Sequence, residues 1–206
     1  MEVLNNFLVG FIASLIGVIP PGLLNLSAAK IRMQEGASRA YLFSIGVSIT
    51  VIGQTAIGLL LAGYLTKYPE YLVILKRFAV TVFFLLSIYF LFLAKDTRIK
   101  IPKENRSSHA NRFFAGLLLA AVNLFPFPYW VYIGITFSNF NVIEFSLLPF
   151  ITTIIASGLG TYTTLVLYIK YFKEERSSRI QNLNLNWIIG GITGLIAILT
   201  LFQLLN

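Results

Sequence analysis

The sequence has little of the chemistry that most active sites use. It contains no cysteine and a single histidine, His109, which lies in a polar stretch. A Cys or His nucleophile and a Cys/His metal site within the apolar segments are therefore excluded. We predict that the protein is not an enzyme and that it holds no metal and no cofactor.

Charged residues are also scarce, at 12% of the chain against about 25% in soluble domains. All eight acidic residues lie in polar connections or at the ends of apolar stretches. They are Glu2, Glu35, Glu70, Asp96, Glu104, Glu144, Glu174 and Glu175. A proton relay that runs through carboxylates inside the apolar segments therefore has no carrier in this sequence.

Apolar residues are abundant instead: they make up 57% of the 206 residues, and the mean hydropathy is +0.79. They form six stretches, at residues 4–29, 39–65, 71–94, 111–137, 145–171 and 186–205. Each stretch suits the roughly 20 residues that an α-helix needs to cross a bilayer. Lipid does not tolerate open strand edges, so even the β-branched runs should be helical. The sequence predicts an all-α integral membrane protein with six transmembrane helices in one transmembrane domain, 1–206.

The Lys and Arg residues predict the orientation of these helices. Thirteen of the 16 lie in or beside the first, third and fifth connections, and only Lys67, Lys76 and Arg77 lie elsewhere. Because Lys and Arg accumulate on the cytoplasmic side, loops one, three and five should be cytoplasmic and both termini should face outward. The same bias explains the net charge of +8 without a nucleic-acid partner. Contact with anionic membrane lipids is an alternative role for the third loop.

The two halves of the chain show a weak internal repeat. At an offset of 106 residues, Gly10 falls on Gly116 and Pro20 falls on Pro126. Each half has three spans, so the second half must enter the membrane from the opposite side, which gives the inverted repeat found in many transporters. The chain then divides into a first three-helix repeat, a basic cytoplasmic linker and a second three-helix repeat, at 1–94, 95–112 and 113–206.

Prolines interrupt spans one and four near their middles. Pro20, Pro21 and Gly22 lie in span one, and Pro126 and Pro128 lie in span four. A proline removes a backbone donor from a helix and leaves a carbonyl without its partner. Such a span is either a kinked helix whose carbonyls bond to neighbouring side chains, or a discontinuous helix that binds a ligand at the bilayer midplane. Matched breaks in the two halves favour the discontinuous helices.

Polar and aromatic residues beside these breaks are the candidate substrate-binding residues. Asn25 and Asn123 are amides in apolar segments, and either one can cap a broken helix or bind a substrate. Tyr129 and Trp130 follow the second break, where an aromatic face could hold an ammonium group by cation–π attraction. The full candidate set is Pro21, Gly22, Asn25, Asn123, Pro126, Tyr129 and Trp130.

These motifs resemble those of the lysine exporter (LysE/RhtB) family of bacterial amino-acid exporters. The resemblance rests on Pro21-Gly22, on a short basic loop that ends at Gly36, on Gly46 in span two, and on Asn123-Leu-Phe-Pro126 in span four. It implies a multi-pass protein of the bacterial cytoplasmic (inner) membrane that exports amino acids or related small zwitterionic metabolites. It also implies a homodimer that works without ATP, with Pro21, Gly22, Asn123 and Pro126 lining the translocation site.

Two functional hypotheses follow. The first is a secondary transporter that exports a small amino acid or a similar zwitterion by alternating access between the two halves. The second is a non-transporting membrane protein with a structural or lipid-interacting role. A water-accessible cavity at the two breaks would distinguish the first from the second.

The orientation can be tested by cysteine labelling, since the chain has no native cysteine. A cysteine introduced at Ser107, in the third loop, should be shielded from an impermeant thiol reagent in intact cells and should react after lysis. Labelling in intact cells would overturn the predicted topology.

Overall fold

The structure is a computed structural model that describes residues 1–20, 22–68, 70–94, 108–171, 190–191, 194–195 and 197–202. Seven α-helices run through these residues. They are α1 (Glu2–Val18), α2 (Leu23–Glu35), α3 (Ala37–Lys67), α4 (Glu70–Ile88), α5 (His109–Val122), α6 (Pro126–Asn139) and α7 (Leu147–Tyr171). A π-helical turn, Tyr89–Leu93, extends α4, and the described residues between 190 and 202 are helical. No strand occurs among the described residues, as the sequence predicts.

Two helices are long and apolar enough to cross a membrane. They are α3, with 31 residues and a mean hydropathy of 1.9, and α7, with 25 residues and a mean hydropathy of 1.5. The pair α1–α2 is bent by 75° and the pair α5–α6 by 65°, and each pair also qualifies if it is taken as one span. The described part of the chain therefore supplies two membrane-spanning candidates, or up to four. The six spans and their orientation stay predictions.

Local sequence explains where several helices begin and end. Gly36 separates α2 from α3 with a φ of 100°, a backbone conformation that favours glycine. Ser108 begins α5, because its side chain accepts a hydrogen bond from the backbone N–H of Asn111 at 3.2 Å. Pro126 begins α6 at the first helical position, where the missing N–H would have no intrahelical partner in any case.

The chain forms two compact units, and each half of the chain contributes to both. Unit one comprises Met1–Tyr64 and Ile101–Ser177, and unit two comprises Leu65–Lys100 and Ser178–Asn206. Unit one thus holds both bent pairs together with α7 and most of α3. In unit two, the Ser87 hydroxyl of α4 donates to the carbonyl of Gly190 at 2.9 Å, which joins α4 to the last helical segment.

Helix α3 crosses α5 at two glycines in unit one. A Cβ on Gly46 would collide with the backbone carbonyl of Phe113, and a Cβ on Gly116 would collide with that of Phe43. Glycine at these positions lets the two backbones approach, as small residues do where helices cross in membranes.

Helix α1 crosses α7 in the same manner. A Cβ on Gly10 would lie 2.6 Å from the carbonyl of Thr153, and one on Gly160 would lie 2.5 Å from the carbonyl of Phe11. Gly10 and Gly116 are the residues matched by the offset of 106. The two matched glycines therefore have equivalent positions. Each lies where its helix, α1 or α5, crosses a long helix from the other half of the chain.

The core of unit one is built on these crossings as two clusters of buried apolar side chains. The first consists of Ala28, Ile31, Ala40, Phe43, Val47, Val51, Ala120, Leu165 and Ile169. The second consists of Ala13, Leu59, Trp130, Ile133 and Ile143.

A chain of buried hydroxyls joins three of the helices. The Ser14 hydroxyl of α1 donates to the carbonyl of Ser157 at 2.7 Å and lies 2.8 Å from the hydroxyl of Thr161, both on α7. The Ser157 hydroxyl in turn donates to Thr55 of α3 at 2.9 Å. Every member has a partner, so the network stabilises the packing of α1, α7 and α3 rather than burying unpaired polar groups.

One ion pair connects the two bent pairs, between the end of α2 and the start of α5. Arg112 Nε donates to Glu35 Oε2 at 2.9 Å, and Arg112 Nη2 donates to Glu35 Oε1 at 2.5 Å. Glu35 ends α2 and Arg112 lies in the first turn of α5, so each charge is unfavourable toward its own helix dipole. The bidentate pairing offsets both of these unfavourable charges.

The crossing of α3 and α5 gives a stability prediction with a matched control on the same helix. Gly46→Ala should lower the free energy of unfolding by about 1–3 kcal/mol, because the new methyl group displaces the α5 backbone. Gly53→Ala should be neutral or stabilising, since no atom lies within 4 Å of its Cβ and alanine favours the helix. Thermal unfolding of the purified variants measures the difference, and equal effects of the two substitutions would contradict the close crossing.

Candidate functional site

The first break lies between α1 and α2, where three backbone carbonyls accept hydrogen bonds from side chains. Asn25 Nδ2 donates to the carbonyls of Val18 at 2.5 Å and Pro20 at 2.9 Å. The hydroxyl of Tyr168, on α7, donates to the carbonyl of Ile19 at 2.7 Å. Of the two roles left open for Asn25, helix capping is the one that these contacts satisfy.

Gly22 precedes α2 at the N-cap position in an extended conformation, with a φ of −138° and a ψ of −178°. Any residue can adopt this conformation, and a Cβ at Gly22 would have only the Pro20 carbonyl nearby, at 3.9 Å. The small size of Gly22 therefore leaves space beside the break, and the backbone conformation there does not require a glycine. Pro21, the other predicted residue at this position, lies outside the described residues.

The second break lies between α5 and α6. Asn123 is the C-cap of α5 and has left the helical conformation, and its Oδ1 accepts a hydrogen bond from the backbone N–H of Phe125 at 3.3 Å. Phe125 is the N-cap residue of α6, immediately before Pro126, and its side chain makes no capping hydrogen bond. The negative end of the α5 dipole and the positive end of the α6 dipole therefore meet within three residues.

A glutamine on the long helix α3 completes the second break. Gln54 Nε2 donates to the carbonyls of Ala120 at 3.0 Å and Asn123 at 2.8 Å, which are the last carbonyls of α5. One turn earlier, the Thr50 hydroxyl donates to the carbonyl of Leu117 at 3.0 Å. Helix α3 thus supplies side-chain donors along the end of α5, as α7 supplies Tyr168 at the end of α1.

Tyr129 brings the two breaks together. It lies in the first turn of α6, and its hydroxyl donates to the carbonyl of Ala13 on α1 at 2.6 Å. A Cβ on Gly17 would lie 3.2 Å from the Tyr129 ring. The residue that follows the second break therefore packs against the last turns of α1 that lead into the first break.

Trp130 contacts the core. It is 2% exposed, and a Cβ on Gly58 of α3 would lie 2.7 Å from its Cβ. The indole belongs to the second apolar cluster and fixes α6 against α3. A cation–π contact from Trp130 to a substrate stays a prediction.

The structure brings five of the predicted site residues to the two breaks: Gly22, Asn25, Asn123, Pro126 and Tyr129. Sequence reasoning gave Gln54 and Tyr168 no place in this site. Gln54 is the one glutamine within span two, but nothing in the local sequence indicates that it contacts α5. Thr50 and Thr55 also bond to their own helix, at the carbonyls four residues earlier.

A separate polar cleft of about 540 Å³ lies at the start of α1 and beside the connection between α6 and α7. Its lining includes Glu2, Asn5, Ser138, Asn141, Glu144 and Ser146. Asn6, which is buried beside it, holds the connection in place through hydrogen bonds with the backbone of Glu144 at 3.0 and 3.1 Å.

Comparisons with protein-family models, with curated proteins and with solved structures found no match to this chain. The described residues define an all-helical protein with apolar helices long enough to cross a membrane and with two bent helix pairs.

The hydrogen bonds of Asn25 predict a cost when that amide is removed. Asn25→Leu should lower the free energy of unfolding by about 1–3 kcal/mol, because the buried Asn25 amide is lost and the partly buried carbonyls of Val18 and Pro20 lose their donor. Gly22→Ala, at the same break, should leave stability nearly unchanged because its Cβ has room. Thermal unfolding in one detergent would check both variants, and a stable Asn25→Leu protein would show that the amide is not needed as a cap.

Proposed function

We propose that this protein is a secondary transporter that exports small zwitterionic metabolites such as amino acids across the bacterial inner membrane. The observation that carries the proposal is the pair of helix breaks in unit one, whose carbonyls accept hydrogen bonds from side chains and which Tyr129 connects. Discontinuous helices of this kind form the binding sites of many transporters.

The helix ends at these breaks suit a zwitterion. The first turn of α2 presents backbone N–H groups and a positive dipole end, which attract a carboxylate. The first turn of α6 contributes its positive dipole end alone, because Pro126 and Pro128 have no N–H and the N–H groups of Phe127 and Tyr129 are already bonded to carbonyls. The last carbonyls of α1 and α5 present a negative dipole end, which attracts an ammonium group. A molecule that carries both groups close together can therefore be bound without any charged side chain at the breaks.

The repeated helix crossings support alternating access. The matched residues Gly10 and Gly116 each join a broken helix to a long helix from the other half of the chain. Two halves of inverted topology can then rock about a shared site and open it to either side. Loops one, three and five would face the cytoplasm, and the termini would face outward.

One observation favours the alternative of a non-transporting membrane protein. The carbonyls at both breaks already have donors, from Asn25, Tyr168 and Gln54, so each bent pair is acceptable as a purely structural kink. The two proposals predict different effects of substitutions at the breaks. If the protein is a transporter, some of these substitutions should lower transport without lowering the amount of folded protein.

Export from loaded proteoliposomes tests the proposal with a panel of radiolabelled L-amino acids. Asn123→Ala should lower export per folded molecule by roughly tenfold, because the first turn of α6 loses the amide oxygen that orients it. Its stability should fall by at most about 1–2 kcal/mol, since side-chain hydrogen bonds inside membranes are weak. Tyr132→Phe, at an exposed position on the same helix, should behave like the unaltered protein.

Gly22→Leu extends the same experiment to the first break. The backbone there accepts any residue, so the variant should fold, but the leucine side chain would fill the space that a substrate needs. Export that falls only in proportion to folded protein would favour the non-transporting alternative. Full specific activity in both variants would remove Asn123 and Gly22 from the site.

A further inference from the structure

The side-chain amide of Gln54 uses its nitrogen but not its oxygen in hydrogen bonds to the described residues. Its Nε2 donates to two carbonyls, whereas its Oε1 is buried and has no hydrogen-bond partner among the described residues. Exchanging the positions of Nε2 and Oε1 would not give the oxygen a partner, because it would then face two carbonyls, which are acceptors and need N–H donors. The neighbours therefore fix the orientation of the amide and leave an acceptor unused.

An unused acceptor at this place requires an explanation. Gln54 is 4% exposed and lies in the middle of α3, the more hydrophobic of the two long helices. Buried polar atoms are nearly always paired, and an exception in a native protein points to a binding or catalytic role or to a bound molecule. The amide lies at the second helix break, where the proposed substrate site is.

We propose that Gln54 Oε1 binds the ammonium group of the amino-acid substrate, together with the carbonyl of Asn123. This inference rests on the proposed transport function and names a binding residue for it. The carbonyl of Ala120 already accepts two hydrogen bonds, from Gln54 Nε2 and from the backbone N–H of Asn123. The carbonyl of Asn123 accepts one bond from Gln54 and keeps a second lone pair. Gln54 Oε1 and this carbonyl therefore offer two neutral oxygens to the N–H donors of a primary ammonium group.

The dipoles at the break orient the rest of the substrate. The C-terminal end of α5 is the negative pole and favours the cation, while the N-terminal end of α6 favours an anion. A zwitterion therefore binds across the break with its ammonium group toward Gln54 and its carboxylate toward the first turn of α6. Replacing water around the ammonium group by fixed oxygens makes recognition depend on N–H donors and not on charge alone.

The test measures binding to the purified full chain in lipid nanodiscs by ligand-induced thermal stabilisation. The probes are a panel of L-amino acids, the N,N,N-trimethyl derivative of each, and sodium chloride alone. The trimethyl derivatives keep the positive charge and lose every N–H donor. The variants are Gln54→Met, which removes the amide, and Gly53→Ala, which changes the neighbouring residue where a Cβ meets no atom within 4 Å.

At least one L-amino acid should stabilise the unaltered protein, and its trimethyl derivative should bind about 10- to 100-fold more weakly, as expected for loss of hydrogen bonds to a charged group. Gln54→Met should show a similar loss for the amino acid, whereas Gly53→Ala should retain binding. The comparison of probes needs only the unaltered protein, so it decides the question even if Gln54→Met does not fold.

Several results would overturn the inference. Equal binding of an amino acid and its trimethyl derivative would show that N–H donation is not recognised, and equal binding by Gln54→Met would place the ammonium group elsewhere. Both outcomes leave the transport proposal standing. Stabilisation by sodium chloride alone that depends on Gln54 would assign the oxygen to a metal cation. Absence of stabilisation by any amino acid, together with absence of export, would overturn the transport function itself.

Discussion

The structure depends on one constraint: a carbonyl freed by a helix break in an apolar setting must receive a donor from somewhere else. Each break ends a helix, so the last carbonyls before it lack the N–H groups that a continuous helix would have supplied. The replacement comes from side chains, with Asn25 and Tyr168 at the first break and Gln54 at the second. Without these amides and this hydroxyl, each break would leave unpaired carbonyls, which costs free energy wherever water cannot replace the lost donor.

The positions of the long helices follow from that constraint. Tyr168 lies on α7 and Gln54 lies on α3, so each broken pair depends on a helix from the other half of the chain for a donor. Glycines at the crossings bring the backbones close enough for these side chains to reach, through Gly10 and Gly160 on one side and Gly46 and Gly116 on the other. Packing and hydrogen bonding are therefore coupled, because a wider crossing would move the donors away from the carbonyls.

Under the proposed transport function, the same contacts that stabilise the breaks would also define what is recognised there. Helix ends and amide groups supply partial charges of both signs without a charged side chain. Neutral groups of this kind would suit a transported molecule that must be released again, because a full ion pair in an apolar setting would bind more tightly and cost more to desolvate. Tyr129 links the two breaks, so a movement of α6 relative to α1 would change both at once.

The sequence by itself determined the all-helical class, the apolar segments and the two places where helices break. These are consequences of local composition, since a long apolar run must be helical in lipid and proline interrupts the helix that contains it. It also indicated most of the residues beside the breaks.

The sequence did not determine that Asn25 caps α1, that Trp130 lies in the core, or that Gln54 and Tyr168 donate hydrogen bonds at the breaks. Those roles depend on which helices pack together, because Gln54 contacts carbonyls 66 and 69 residues away and Tyr168 contacts one 149 residues away. Only the tertiary structure brings such distant groups within hydrogen-bond distance, and no periodicity along the chain encodes the pairing.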